Sequence, residues 1–296
     1  MFDFLQKNGA SMELAELIVE LSRACAGISN AIVHTSTGKA GTQNVYGEDQ
    51  LALDVQAENI LENHLKSCPF VAAIGSEELD DLIHVRDDGK YTVVHDPLDG
   101  SSLVNVNMAV GTIVGIYEGS DLIGRTAREQ VAALYVVYGP RTTLVLTVGD
   151  GVHEFLLLDD VWKYEGELSL GGDKAYFAPG NLRATKERDD YFALICEFMK
   201  EQYTLRYSGG MVPDINHILK KGSGVFLYPG MPSAPDGKLR LLFECGPMAM
   251  IMEQAGGSAS NGEIDILDIK VKDLTQITPI LIGSKKEVSR AASALS

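Results

Sequence analysis

The stretch YTVVHDPLDGSS, residues 91–102, runs an apolar, β-branched segment straight into two aspartates three positions apart, with a proline between them and a glycine and two serines behind. An apolar run of this kind predicts a buried strand, so Asp96 and Asp99 arrive at a strand end inside the molecule. Burial and like-charged neighbours both oppose ionisation of such a carboxyl. The rest of the chain has to fold so that something else meets these acids.

Other apolar runs end the same way. AAIGSEE stops at Glu77 and Glu78, LRLLFE stops at Glu244, and a loop entering a helix carries Glu48, Asp49 and Asp54. Hard divalent cations with oxygen ligands, Mg²⁺ or Mn²⁺, are the economical way to hold such carboxylates together. Pro97 fixes its own φ and turns the chain, so that Asp96 and Asp99 converge on one ion while the carbonyl of Leu98 points inward. Gly100 permits a tight backbone, and Ser101 and Ser102 open a helix or turn whose N–H groups and hydroxyls suit a phosphate. Metal and phosphate meeting at one point is the geometry of metal-assisted phosphate ester hydrolysis. A capped turn accounts for D-P or D-G taken singly, but not for the whole heptapeptide together with SEE and FE at the ends of other strands.

Charge narrows the partners. The chain of 296 residues carries a net charge of −16, which repels nucleic acid and acidic membranes, so a phosphorylated ligand must be held by a few local cations or by metals. No apolar run approaches the ~18 residues needed to span a bilayer, and a soluble globular protein is expected. Cys25, Cys68, Cys196 and Cys245 are far apart, without zinc-ligand or disulfide-scaffold spacing, and are read as free thiols in a reducing compartment. The opening MFDFLQKNGASMEL has neither a signal peptide's apolar core nor transit-peptide character. The default location is cytoplasmic, with a plastid or other organelle left open if the N-terminus was trimmed.

Periodicity gives the organisation. Leu14, Leu17, Ile18, Leu21, Cys25 and Ile28 fall at helical spacing over about five turns. The polar, glycine-rich TSTGKAGTQNVYGEDQ reads as a mobile loop, and residues 51–66 resume helical spacing. FVAAIG, YTVVHD, VGTIVGIY, TLVLTV and HEFLLL read as strands, with a helix near 127–137. After EGELSLGGDK, read as a linker, come strand AYFA, helices 190–201 and 212–220, strand GVFLYP, helix 247–255, strand PILIG and a last helix from 285. This predicts an α/β (α+β) layered sandwich of two αβ halves, residues 1–165 with most of these acids and 166–296 with Glu244.

DPLDGSS, preceded by GSEE and followed by VGTIVGIY, resembles the signature of the lithium-sensitive, metal-dependent sugar phosphatases, and within them the fructose-1,6-bisphosphatase and sedoheptulose-1,7-bisphosphatase family. The resemblance runs from about residue 13 to 285, through GEDQLALD, REQVAALYVVYGPRTT, GVHEFLLLD, APGNLRAT, YTLRYSGGMVPDIN, GVFLYPG and KLRLLFECGPMAMIMEQAGG. GVHEFLLLD, GNLRAT and YTLRYSGGMVPD are more similar to the sedoheptulose branch, VFLYPG and CGPMAMIMEQAGG to the fructose branch. The family's αβαβα sugar phosphatase fold is implied, together with a place in carbohydrate metabolism, in the Calvin cycle or the pentose phosphate pathway. The resemblance also implies that Glu77, Glu78, Asp96, Asp99, Glu244 and the Leu98 carbonyl hold two or more Mg²⁺ (or Mn²⁺). Glu78, Glu48, Asp54 and Asp99 become the catalytic set, Glu78 helping to orient or deprotonate the attacking water. Where the family usually has Asp six positions before Asp54, this chain has Glu48 with Asp49 beside it; register favours Glu48, and which of the two enters the site stays open.

For the sugar end the resemblance implies a distal phosphate pocket from Asn181, Arg206, Tyr207, Tyr228, Lys238 and the adjoining Arg240, with Gly210 and Met211 lining the sugar and Gly100, Ser101 and Ser102 holding the reacting phosphate. Arg206 matches a residue that reaches a neighbouring subunit, implying a homodimer or homotetramer. Gly210 stands where the fructose branch usually has serine, and a wider pocket there would suit a seven-carbon sugar, with a discrimination of only ~1–3 kcal/mol. GKYTVV and Arg128 resemble parts of a nucleotide-regulated site, yet the opening helix lacks the threonine-rich contacts, so no working nucleotide switch is expected. The redox cysteine pair of plastid relatives is absent too. The expected activity is Mg²⁺-dependent removal of the 1-phosphate from sedoheptulose 1,7-bisphosphate, with fructose 1,6-bisphosphate as a further substrate. Its rivals are a fructose-1,6-bisphosphatase proper, a catalytically dead sugar-phosphate sensor, and an inositol-phosphate or nucleotide phosphatase, against which Arg206, Lys238 and KLRLLFE speak.

Overall fold

The computed structural model describes residues 1–35, 39–43, 49–172 and 176–295. Three helices open the chain, α1 (Phe2–Lys7), α2 (Met12–His34) and α3 (Ala52–Ser67), with short strands β1 (Lys39–Gln43) and β2 (Asp49–Leu51) paired antiparallel between the last two. The described part of the expected loop at 36–50 is therefore a hairpin, and Glu48 lies outside the described residues.

Eight strands build the larger sheet: β3 (Val71–Ser76), β4 (Ile83–His84), β5 (Tyr91–Asp99), β6 (Val110–Glu118), β7 (Gln130–Tyr138), β8 (Thr142–Thr147), β9 (His153–Leu158) and β10 (Val161–Glu167), in the order β10-β9-β8-β7-β6-β5-β3-β4. Only β3 and β5 are parallel to each other. The sheet is buried on both faces because its side chains alternate between two cores. On β7, Ala132, Leu134, Val136 and Tyr138 join the core under α1 to α3, whereas Ala133, Tyr135 and Val137 join the core on the opposite face. That arrangement corrects the helix expected near 127–137, where only a 3₁₀ turn at Ala127–Glu129 precedes the strand. With apolar residues required on both faces, the polar positions that would reveal a period of two are missing.

The smaller sheet contains β11 (Tyr176–Pro179), β12 (Thr204–Leu205), β13 (Val225–Tyr228), β15 (Ser258–Ser260) and β17 (Ile280–Gly283), while β14 (Leu239–Arg240) pairs with β16 (Ile277–Thr278) apart from it. Helices α5 (Met211–Lys221) and α6 (Gly246–Gln254) fill the space between the sheets. α4 (Asp189–Lys200) and α7 (Lys285–Leu295) cover the far face with Tyr191, Leu194, Phe198 and Val288. The layers thus run αβαβα, as the family resemblance implies. β10 continues through Glu167, so the segment read as a linker begins as strand. LRLLFE is strand only over its first two residues: after β14 the chain enters a π-helical turn, Leu241–Cys245, that leads into α6.

One close approach sets the middle layer against the large sheet. A Cβ on Gly111 of β6 would lie 2.4 Å from Val212 Cγ1 and 2.7 Å from the Val136 carbonyl oxygen, so the first turn of α5 rests directly on strand backbone. Gly111→Ala is expected to cost about 1–3 kcal/mol by overpacking. Gly171→Ala, at a position with open space around its Cβ, should stay within about 0.5 kcal/mol of the parent. Denaturant midpoints of the two variants check this, and equal midpoints would remove the contact from the account of the fold.

Candidate active site

The ends of β3 and β5 lie side by side in parallel, and the π turn before α6 brings a third acid to them. One carboxylate oxygen from each of Glu77, Asp96 and Glu244 lies within 4.8 Å of the others. Asp96 and Glu244 are 6% and 5% exposed. Burial is the first cause that pushes both carboxyls well above the usual carboxylate range, and the neighbouring acids push the same way, Glu77 foremost. Leu98 N–H donates to Asp96 Oδ1 at 2.9 Å and Arg240 N–H to Glu244 Oε2 at 2.5 Å, which fixes both side chains. The Arg240 Nε stands 3.7 Å from Glu77 Oε1. Three hard oxygen donors, two of them buried, converge at this point. This set fits a divalent cation and could hold one.

Asp99 does something different. Its Oδ2 accepts the Val212 N–H at 2.7 Å and its Oδ1 the Met211 N–H at 3.3 Å, so it caps the start of α5 and ties the DPLD turn to that helix. Burial raises its carboxyl to about 6, against these two amides. Pro97 lies at an irregularity of β5 between Asp96 and Asp99, and the acid cluster takes in Asp96 but not Asp99; the Pro97 carbonyl accepts from Thr112 Oγ1 at 2.8 Å, and that hydroxyl meets Tyr138 Oη at 2.8 Å. Gly100 takes φ 74° and heads the short 3₁₀ turn Ser101–Val106.

A cavity of about 430 Å³ opens over the acids. Of the residues singled out in the sequence, Glu77, Glu78, Asp96, Leu98, Asp99, Gly100, Ser101, Ser102, Gly210, Met211, Tyr228, Lys238, Arg240 and Glu244 line it. Asp54, Asn181, Arg206 and Tyr207 do not. Asp54 is buried in the first turn of α3, and Asn181 precedes a 3₁₀ turn at Leu182–Lys186. Arg206 lies along α5, its Nε 3.0 Å from His217 Nε2 and its guanidinium over the Tyr176 ring. A Cβ on Gly210 would meet Leu103 Cδ1 and Pro213 Cδ at 3.3 Å each, so packing as well as pocket width bears on that glycine. A larger hollow of about 700 Å³, lined by Arg188, Met231, four prolines and others, lies elsewhere; its arginine is already bound to Asp190 and to the Leu295 carbonyl, and the acid-lined cavity is the better candidate. Arg128 is held by Glu253, Asp265 and Asp268.

Sequence reasoning missed Asp214, a buried acid on the cavity wall that accepts the Ser208 N–H at 3.0 Å. It also missed Glu58, Ser76 and His95, which meet behind the acids. Ser76 Oγ donates to Glu58 Oε2 at 2.6 Å, and His95 Nε2 lies 3.0 Å from the same oxygen. Burial opposes charge on Glu58, yet the His95 ring and the Ser76 hydroxyl together hold its carboxyl below the usual range. The only sequence signal was a polar pair, Ser76 and His95, each one position before an acid of the site.

A buried acid with a raised folded-state pKa contributes stability that is full below the unfolded carboxylate range and lost as pH rises through the folded value. Asp96→Asn keeps the acceptor for the Leu98 amide and removes the charge. In protein stripped of divalent ions, this variant is expected to match the parent near about pH 4 and to exceed its stability by at least about 1 kcal/mol near neutrality. Adding Mg²⁺ or Mn²⁺ should stabilise the parent alone. Denaturant titrations with and without the ion decide it; a variant less stable than the metal-free parent at neutral pH would count against mutual repulsion at this site.

The family model described as fructose-1-6-bisphosphatase, N-terminal domain, matches residues 3–166, and its C-terminal counterpart matches residues 170–296. A fructose-1,6-bisphosphatase class 1 of Geotalea uraniireducens is 49% identical over 292 residues, covering 97% of this chain and 92% of its own. The chloroplastic sedoheptulose-1,7-bisphosphatase of Spinacia oleracea is 43% identical over 293 residues, covering 97% and 76%. A crystal structure from Toxoplasma gondii, described as a candidate sedoheptulose-1,7 bisphosphatase, superposes with a TM-score of 0.94 at 36% identity, over 100% of this chain and 98% of the other. With both halves of the chain matched and the acid-lined cavity where the two meet, the chain belongs to the fructose-1,6-bisphosphatase family.

Proposed function

We propose that this sugar bisphosphatase, a phosphoric monoester hydrolase, removes the 1-phosphate of sedoheptulose 1,7-bisphosphate to give sedoheptulose 7-phosphate, and accepts fructose 1,6-bisphosphate as well. The observation that carries the reading is the meeting of Glu77, Asp96 and Glu244 with the Gly100–Ser102 turn and with Lys238 and Arg240 around one cavity. A second reading, fructose-1,6-bisphosphatase proper, is favoured by the bacterial relatives that carry that name.

Glu77, Asp96 and Glu244, with Glu78, the Leu98 carbonyl and Asp99 adjoining, are the residues that would hold Mg²⁺ or Mn²⁺, two or more per subunit. Such ions supply charge neutralisation at phosphoryl and leaving oxygens and acidify water. The chain does the rest. Ser101 and Ser102 present amides and hydroxyls to the reacting phosphate. Glu78, at the cavity wall, orients or deprotonates the attacking water, with Asp54 and Glu48 or Asp49 assigned to the approach from α3. Asp99 keeps the turn and α5 in register, so the sugar lies along Gly210 and Met211. Lys238, Tyr228, Arg240 and Asn181 take the distal phosphate, the cations serving there because the chain as a whole, at −16, repels the substrate.

Residues 1–165 are read as the metal-site half and 166–296 as the sugar half. A homodimer or homotetramer is proposed, with Arg206 and Tyr207 at the subunit contact; the exposure of Leu205 and Tyr207, 49% and 52%, supports a covered surface there. No helix of the described residues is long and apolar enough to cross a membrane, and a cytoplasmic site of action is proposed alongside the bacterial relatives.

Phosphate release with Mg²⁺ from both ketose bisphosphates and from inositol phosphate, compared as kcat/KM, tests the reading. At least one ketose bisphosphate should exceed inositol phosphate by about 10²-fold or more, and Asp96→Asn should lower its hydrolysis by at least about 10²-fold. Lys238→Ala should cost about 1.5–3 kcal/mol on a bisphosphate and far less on a monophosphate. Equal losses on both would misplace the distal pocket, and no hydrolysis of either ketose bisphosphate would end the catalytic reading.

A further inference from the structure

Directly behind the acid corner lies a carboxylate to which the roles above give no work. Glu58 sits one helical turn after Asp54 on α3 and is 7% exposed. A carboxylate accepts and does not donate, so both of its neighbours must point hydrogens at Oε2: Ser76 Oγ at 2.6 Å and His95 Nε2 at 3.0 Å. With its proton committed to Glu58, Ser76 Oγ turns a lone pair to the backbone, where it accepts the Glu78 N–H at 3.2 Å. The adjacent Glu77 N–H donates to the His95 carbonyl at 3.1 Å. The peptide amides of both acids at the end of β3 are thus held by the two residues that Glu58 joins.

Serine, histidine and carboxylate together invite comparison with a hydrolytic triad, but the wiring excludes it. In a triad the imidazole stands between hydroxyl and acid, whereas here the acid stands between hydroxyl and imidazole. Ser76 and His95 are 1% and 0% exposed and reach no substrate. Nor does packing alone explain the group. Burying a carboxylate costs several kcal/mol before its partners repay it, and an apolar side chain of similar size would fill the space at less cost. The charge stands at the one point where α3, β3 and β5 meet beneath the acids.

We propose that Glu58 is a positioning residue: by joining Ser76 to His95 it fixes the Glu77–Glu78 corner, and so sets how tightly the site takes a divalent cation. The proposal rests on the reading of Glu77, Asp96 and Glu244 as a metal centre. Partners behind metal ligands change affinity by about 10–100-fold when removed. Ser76→Ala deletes one oxygen and leaves the fold's packing intact, so it serves even where Glu58→Ala does not fold.

The test is direct binding of Mn²⁺ to the full chain without substrate, followed by paramagnetic resonance of the free ion, in the parent, Ser76→Ala, Ser76→Thr, Glu58→Ala and the double alanine variant. Sugar monophosphate binding to the same proteins, free of metal, is the companion measurement. Expected are Mn²⁺ dissociation constants raised about 10–100-fold in each single alanine variant and little further in the double one, since both act through the same oxygen. Ser76→Thr should restore most of the affinity, and sugar monophosphate binding should hold within about threefold throughout. Folded single variants that bind Mn²⁺ like the parent, or losses that add in full, overturn the positioning role alone. A parent protein that binds no Mn²⁺ overturns the metal-centre reading, and this proposal with it.

Discussion

Mutual repulsion of buried carboxylates is the constraint on which the rest of this molecule depends. Asp96 and Glu244 are almost wholly withdrawn from water, with Glu77 beside them; Glu77 raises the cost of ionising both, and Glu244 that of ionising Asp96. In a medium of low effective dielectric such a group is tolerated only with protons, cations or both. A site of this kind stores its own demand for a divalent ion. The fold's task is to stop the acids from relaxing apart, and it does so by taking each from a different element: the end of β3, the end of β5 and the π turn before α6.

Rigidity at that point is supplied from behind and from the side. Behind, β3 and β5 run parallel and are pinned at their ends through Ser76, His95 and Glu58. From the side, α5 docks on the bare backbone of Gly111, which brings the Met211 and Val212 amides to Asp99. Helix N-termini carry positive potential, so this contact also offsets one of the negative charges nearest the acids. The same helix begins at Gly210 and Met211 on the cavity wall. The acid cluster and the opposite wall of the cavity are therefore tied together through Asp99.

How much of this could be read in the sequence depended on how local each signal was. DPLDGSS carries its meaning within seven residues, and strands with an apolar run ended by acid were legible for the same reason. The order of helical and strand patterns gave two layered αβ halves, and the αβαβα order of the layers came only with the family resemblance. β7 was not legible as a strand, because Ala132, Ala133, Leu134, Tyr135, Val136 and Val137 must satisfy two cores at once and leave no polar beat. LRLLFE looked like strand because Leu241, Leu242 and Phe243 form an apolar run; what accompanies its bend is Glu244 receiving the Arg240 amide four positions back, a contact with no compositional mark. Glu58 and His95 are 37 residues apart and meet only after β3 and β5 have paired. Their place could not be inferred from spacing.

The same distinction bears on what decides the substrate. The chemistry of the acid corner is written in short motifs and in close pairings, so it is strongly specified and tolerates little change. The proposed sugar end is made of single residues from separate elements: Tyr228 at the end of β13, Lys238 before β14 and Gly210 at the head of α5. Each comes to the cavity from its own stretch of chain, far in sequence from DPLDGSS. Gly210 illustrates the consequence, since a side chain there would press on Leu103 and Pro213 before it changed the room for a sugar. On the proposed reading, discrimination between a six-carbon and a seven-carbon bisphosphate would rest on increments of about 1–3 kcal/mol, spread over residues from separate elements. A fold built in this way holds its reaction fixed while leaving its choice of sugar adjustable.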